Sequence, residues 1–238
     1  MEESEHKLLK TLNDELDRRI GGIILPALVI IEGPNDSGKS VLVQQFTYGA
    51  LETGYKVCIF STEGGGRAIV RNMESLGFSV KKHYLRGHLR VVPLSVREEE
   101  WTSDDAKQML VSIMNYVQKK SSKFNIICID SLTVLITGAR EEDVLRFFSE
   151  MRSSSEEYNL TYIVTIHPYA FSQEFLVRIR SISDAHFSLM IKEIGDKIYK
   201  TLQILKVRGA SKPSSQVISF EVDPSFGIKI LPFSQVKA

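Results

Sequence analysis

Cysteine is scarce in this chain: two residues in 238, Cys58 and Cys128, each inside an apolar run. That argues against a disulfide framework or a thiolate metal site and reads both as small core residues. Long apolar runs are also missing. The longest, Ile23 to Ile31, is broken by Pro26 and falls far short of the roughly 20 residues a membrane-spanning helix needs. Net charge is close to zero, 30 Lys+Arg against 29 Asp+Glu, so no global field holds a polyanion. The opening residues, Met1-Glu2-Glu3-Ser4-Glu5, are acidic and carry no signal-peptide pattern, which leads us to expect a cytoplasmic protein. Neither an internal repeat nor a low-complexity tract is present.

What the chain does have is a 43% hydrophobic content, enough for one large α/β domain over 1–238 and little for two separated ones. Its central motif is Gly33-Pro34-Asn35-Asp36-Ser37-Gly38-Lys39-Ser40, which fits G-x-x-x-x-G-K-[ST]. In that pattern backbone N–H groups curl around phosphates, the lysine serves the β- and γ-phosphates, and the hydroxyl serves a magnesium ion. The flanks agree. Ala27 to Ile31 is an apolar, β-branched run that reads as a buried parallel strand. The segment after the loop has no Gly or Pro until Gly49 and suits a helix whose N-terminus faces an anion, stopping near Gly54.

Leu8, Leu9, Leu12, Leu16 and Ile20 have near-helical spacing, so a helix over 6–20 is expected, ended by Gly21-Gly22. Further on, Lys56 to Phe60 reads as a strand running into Ser61-Thr62-Glu63 and three glycines. Arg67 to Leu76 reads as a helix closed by Gly77. Leu89 to Leu94 reads as a strand, Arg97 to Trp101 as a polar loop, and Ser103 as the N-cap of a helix. Asn125 to Asp130 is a buried strand ending in a carboxylate, Val144 to Met151 marks another helix, and Leu160 to Ile166 is a strand ending at His167-Pro168. This alternation argues a mainly parallel sheet flanked by helices. Ala185 to Ile191, Lys200 to Val207, Gln216 to Val222 and Ile228 to Leu231 read as a C-terminal antiparallel extension over 185–238, with Asp223-Pro224-Ser225-Phe226-Gly227 as a hairpin turn.

The strand ends supply the candidate chemistry. Asp130 stands where an acid holds magnesium through its water shell. Glu63, on a strand expected beside the phosphate loop, is a candidate base that polarises a water for attack on the γ-phosphate. His167 is a candidate γ-phosphate sensor. Lys206 and Arg208, two apart on a strand, project to one face and reach an anion beyond the chain's own site. Asp36 puts a carboxylate inside a phosphate loop, and the sequence offers no reason for it.

Together the loop at 33–40, Ser61-Thr62-Glu63, Ile129-Asp130-Ser131 and Lys206-Val207-Arg208-Gly209 resemble the RecA-type ATPases and most closely their KaiC-like branch. Arg180 to Asp184, Leu205 to Ala210 and Phe220 to Pro224 are similar to its archaellum (archaeal flagellum) accessory members. The resemblance implies a RecA-like P-loop core, ATP and Mg2+ as cofactors, and a hexameric ring with nucleotide between subunits. It also implies that Lys206 and Arg208 act on the neighbour's γ-phosphate. As partners it implies the archaellum motor ATPase and a membrane-associated ring protein, with the chain peripheral at that motor. Clock-type KaiC domains have two adjacent glutamates after the second core strand, whereas Gly64, Gly65 and Gly66 follow Glu63 here, so hydrolysis is expected to be weak or absent. An active ATPase is the alternative. A recombinase-like DNA binder using Tyr169, Phe171, Arg178 and Arg180 is a third reading, against which stand the near-neutral charge and the lack of a separate DNA-binding domain.

Overall fold

A computed structural model describes residues 7–96, 101–194, 197–209 and 216–232. The first strands are short: β1 (Leu8–Leu9) pairs antiparallel with β2 (Ile23–Ile24), around helix α1 (Asp14–Ile20). The helix expected over 6–20 therefore begins only at Asp14. Asn13 caps it by accepting from Leu16 N, and Asp17 turns back to accept from the Thr11 backbone and hydroxyl. Lys10 and Thr11 instead cross over Gly49, where a Cβ would lie 2.1 Å from Lys10 O. The helix-like leucine spacing spans two elements, and the second takes over where a side chain can cap it.

A nine-stranded sheet carries the rest, in the order β11-β10-β9-β8-β3-β7-β6-β4-β5. Its parallel part comprises β3 (Leu28–Glu32), β4 (Val57–Ser61), β5 (Leu89–Pro93), β6 (Ile126–Asp130), β7 (Thr161–Ile166) and β8 (Ala185–Ile194). Every residue of β3, β4, β6 and β7 is buried. That is why these strands read as unbroken apolar runs: helices cover both faces. On one face Val29, Ile31, Phe187 and Leu202 pack with Leu42 and Phe46 of α2 (Lys39–Glu52) and with α3 (Gly66–Ser75). On the other, Leu28, Ile30, Phe60 and Ile127 pack under α5 (Ser103–Lys120), α7 (Glu141–Tyr158) and α8 (Gln173–Ile182). The short helices α4 (Lys81–Leu85) and α6 (Leu132–Leu135) fill connections.

β8 runs parallel to β3, so the antiparallel extension starts one strand later than expected, at β9 (Lys197–Val207), and continues through β10 (Gln216–Asp223) and β11 (Gly227–Ile230). The β10–β11 turn forms as its residues dictate: Asp223 Oδ1 accepts from Ser225 N at 2.7 Å and Gly227 takes φ 70. The N-cap of α5 is Thr102 rather than Ser103, and Thr102 and Asp105 satisfy each other's backbone N–H in a capping box. The loop expected from Arg97 lies, up to residue 100, outside the described residues. Cys58 and Cys128 are buried and free, and burial pushes both thiols up to about 12. Among the described residues no helix is long and apolar enough to cross a membrane.

Candidate functional site

At the carboxyl end of β3 the chain turns through Gly33 to Gly38 into α2. Gly33 is required by packing: a Cβ there would lie 2.6 Å from Leu189 O and 2.7 Å from Ser37 Oγ. Gly38 takes φ 97 and Asp36 φ 58. The left-handed region tolerates Asp better than most residues, which accounts for a carboxylate here: its backbone suits the loop while the residue stays exposed. Ser37 Oγ and Lys39 Nζ donate to Pro34 O at 2.8 and 2.7 Å, closing the loop on itself. Helix α2 has no side-chain cap and no acid in its first turn. Helices α1, α5 and α8 have both. The first N–H groups of α2 thus remain open to an external anion.

Facing the loop are two carboxylates. Thr62 N donates to Asp130 O at 3.0 Å and Ser131 N to Thr62 Oγ1 at 3.1 Å, which ties the end of β4 to the end of β6. This brings Glu63 and Asp130 to one place. Ser40 Oγ lies 3.4 Å from Glu63 Oε1, and Thr165 Oγ1 donates to Asp130 Oδ1 at 2.6 Å. The strand carrying Glu63 is not beside the loop strand as expected: β7 and β6 lie between them. Glu63 reaches the loop because residues past the strand ends converge over the sheet edge.

Burial holds the carboxyls of both Asp130 and Glu63 above the ordinary range, and the Asp130 charge raises Glu63 further. Ser40 and Lys39 pull the other way on each. Burial lowers Lys39, against the pull of Asp130, Glu63 and Asp36. The arrangement is a crowded negative pair with one amine. It suits a hydrated divalent cation shared with a phosphate: Ser40 would be a direct ligand and Asp130 a partner through water, because Mg2+ keeps most of its water and needs no all-protein cage. No group of three or more His, Cys, Asp or Glu placed to hold a metal unaided occurs among the described residues.

Removing this crowding gives a stability effect. An acid whose folded pKa is raised loses stability as pH rises from its unfolded value toward the folded one. Asp130→Asn in the nucleotide-free protein should therefore be stabilising by about 1 kcal/mol near neutral pH, or about 2–4 °C in melting temperature. The advantage should vanish below about pH 4, where the unfolded carboxyl is itself protonated. Thermal melts of both proteins across that range check it.

His167 follows β7, its backbone N donating to Thr133 Oγ1 at 2.8 Å and its ring 5.4 Å from that of Tyr169. Its Nδ1 is buried without a hydrogen-bond partner among the described residues. Burial and the Lys39 charge lower its pKa, so the imidazole is neutral near pH 7. The loop, both acids and His167 line one cleft of about 1030 Å³, which extends to Lys200 and Val222 of the C-terminal strands.

Lys206 and Arg208 are not in this cleft. In register, Val207 pairs with Ala185 and Ala185 with Val29, which places them at the edge of the sheet where β3 begins. Lys206 Nζ donates to Ser181 O at 3.1 Å and to Ser183 O, and Arg208 Nη1 lies 3.0 Å from Asp184 Oδ1. Arg208 remains 61% exposed.

Sequence reasoning missed a buried charge cluster under the loop. Arg180 donates to both oxygens of Glu32 at 2.9 and 2.8 Å, and His186 Nε2 lies 3.0 Å from Glu32 Oε2. The available signal was an acid closing an apolar strand just before Gly33. Arg180, offered above as a DNA contact, is occupied by this pairing, and Phe171 stacks on Phe175 at 5.3 Å.

The family model described as "ATPase: KaiC" matches residues 9–235. The chain belongs to the KaiC family of ATPases. Among relatives of this KaiC-family chain, the archaeal flagellar ATP-binding protein FlaH of Sulfolobus acidocaldarius is 36% identical, covering 97% of this chain and all of that protein. FlaH of Methanococcus voltae is 27% identical over 91% of this chain and 93% of its own length. The crystal structure of the flagellar accessory protein FlaH from Methanocaldococcus jannaschii superposes with a TM-score of 0.80 at 27% identity, covering 96% of this chain and 100% of that one. The expected RecA-like core with its antiparallel extension is therefore the fold of this KaiC-family member.

Proposed function

We propose that this chain is a single ATP-binding domain that acts as a nucleotide-dependent assembly component of the archaellum motor, with slow or no hydrolysis. The observation that carries the reading is the uncapped N-terminus of α2, with Lys39 and Ser40, set opposite Glu63 and Asp130 in one cleft. ATP with Mg2+ fits this charge pattern. Gly33 to Ser40 wrap its phosphates, Ser40 and Asp130 serve the cation, and neutral His167 meets a terminal phosphate oxygen through its open nitrogen. The names of the flagellar relatives support the archaellum assignment. The motor ATPase and a membrane-associated ring protein are the partners in this reading, which makes the protein cytoplasmic and peripheral at the motor.

The position of Lys206 and Arg208 supports assembly. They lie at the opposite end of the strands from the chain's own loop; Arg208 is exposed beside its Asp184 partner, and Lys206 would exchange the Ser181 and Ser183 carbonyls for a neighbour's nucleotide in a ring. Gly64, Gly65 and Gly66, which follow Glu63 where clock-type KaiC domains carry a second glutamate, support slow turnover. The raised pKa of Glu63 favours the second reading, an active ATPase, because a base poised closer to neutrality accepts a proton in attack.

The experiment is mass measurement in solution with and without ATP and Mg2+, run beside phosphate release. We expect a larger species with nucleotide and turnover well below the median enzyme rate of about 10 per second. A chain that stays one size at saturating ATP would overturn assembly. Glu63→Gln should keep ATP affinity within a few-fold and lower any residual phosphate release about 100-fold. Undiminished release removes Glu63 as base.

A further inference from the structure

We propose that Lys200 and Val222, on strands β9 and β10, form the nucleoside end of the site. Lys200 holds the α-phosphate and ribose, and Val222 packs on the base. The inference rests on the nucleotide reading above and deepens it.

The direction of the bound molecule follows from the loop. In this motif the lysine and hydroxyl serve the terminal phosphates. Here Ser40 Oγ points to Glu63, and the Lys39 amine feels the charges of Asp130 and Glu63. The terminal phosphate therefore lies toward β6 and β4, on one side of β3. The cleft continues on the other side of β3, past β8, to Lys200 and Val222. The cleft also runs past Glu63 to Leu94, Ser95 and Val96, but that is the side the terminal phosphate occupies, so the sugar and base of a nucleotide held this way extend from the loop toward Lys200 and Val222.

The register shows why Lys200 faces the cleft. It pairs directly with Phe220 across β9 and β10, and directly opposed residues share a face of the sheet. Phe220 is 1% exposed and packs at the loop: a Cβ added at Gly38 would lie 3.2 Å from its ring. Lys200 thus projects on the core-facing side, level with the end of the phosphate loop, and is half-buried. Two residues on, the same face carries buried Leu202. The Lys200 stem lies along the apolar face while the ammonium reaches the water of the cleft. Among the described residues no carboxylate lies within ion-pair distance of it, which leaves the ammonium available to a ligand's phosphate. Val222, two residues beyond Phe220, gives the same face an apolar shelf at the end of the cleft.

The test is calorimetric binding of ATP, ADP and inorganic tripolyphosphate to the full chain. Lys200→Ala should weaken ATP and ADP by the same factor, about tenfold, the effect of one charge-assisted contact. Lys200→Arg should recover most of that loss. A loss for ATP alone would place Lys200 at the terminal phosphate and overturn the proposal, as would unchanged affinity for both nucleotides. Val222→Asp should weaken ATP and ADP several-fold and leave tripolyphosphate within twofold. Equal losses for all three ligands would show a disturbed loop rather than a base contact, and unchanged nucleotide binding would remove Val222 from the site. Thermal melts confirm that each variant is folded. Failure of the wild-type chain to bind ATP would sink the nucleotide reading itself, which separates the two outcomes.

Discussion

Lys39→Ala should lower ATP affinity by about 100-fold or more, the largest effect of any single change in the cleft. Lys39 is 6% exposed and is the amine set among Asp130, Glu63 and Asp36. Its Nζ rests on Pro34 O at 2.7 Å and can leave that carbonyl for a phosphate without moving the backbone. Two charge-assisted hydrogen bonds at about 1.5–3 kcal/mol each exceed the 2.7 kcal/mol of a hundredfold change. Loss of the amine also leaves the two carboxylates without their counter-charge, so the triphosphate would enter a more negative cleft. Titration calorimetry with ATP and Mg2+ measures it directly. Unchanged affinity would falsify the assignment of the loop. In the double variant with Asp130→Asn, the apoprotein should regain any stability lost with the lysine, because the remaining carboxylate no longer faces a second one.

Much of this site was legible along the chain because its parts are local. The loop, the strand before it and the helix after it are contiguous, Asp130 and His167 each end an apolar run, and Glu63 follows one by three residues. Helix α2 is buried on nearly every side, Gln44, Gln45 and Thr47 included, so it lacks an amphipathic stripe. The motif and the absence of breakers identified it instead. Helix α8 went unread because Phe175, Leu176 and Ile179 make a short stripe that the exposed Val177 interrupts. Strand order was not legible, since burial on both faces gives β3, β4, β6 and β7 the same composition. For that reason the position of Glu63 relative to the loop was right in space and wrong in topology. Pairings across long separations were equally hidden: Glu32 and Arg180 are 148 residues apart, and no spacing rule connects them.

That pair leads to the second large effect. Glu32 is the last residue of β3, directly before Gly33, and is 4% exposed. Despite the burial, which opposes it, the carboxyl lies below its ordinary range, held there by His186 and Arg180. Arg180→Ala removes a bidentate partner and leaves a buried carboxylate facing only His186. Breaking a buried pair from one side costs about 3–5 kcal/mol, so a loss of about 6–20 °C in melting temperature is expected. Glu32→Gln in the same chain should recover a large part of it, because the stranded charge is gone. The pH dependence separates this from simple loss of packing. A carboxyl with a lowered folded pKa adds stability that is full above its unfolded value and is lost as pH falls through the folded one. The wild type should therefore lose stability through acid pH more steeply than the double variant, and parallel acid limbs in thermal melts would rule the ion pair out as the cause. Because Glu32 anchors the start of the phosphate loop, Arg180→Ala should also weaken ATP binding at temperatures where the chain is still folded. Arg180 touches no part of the cleft, so a loss there would show that α8 sets the loop's position through Glu32.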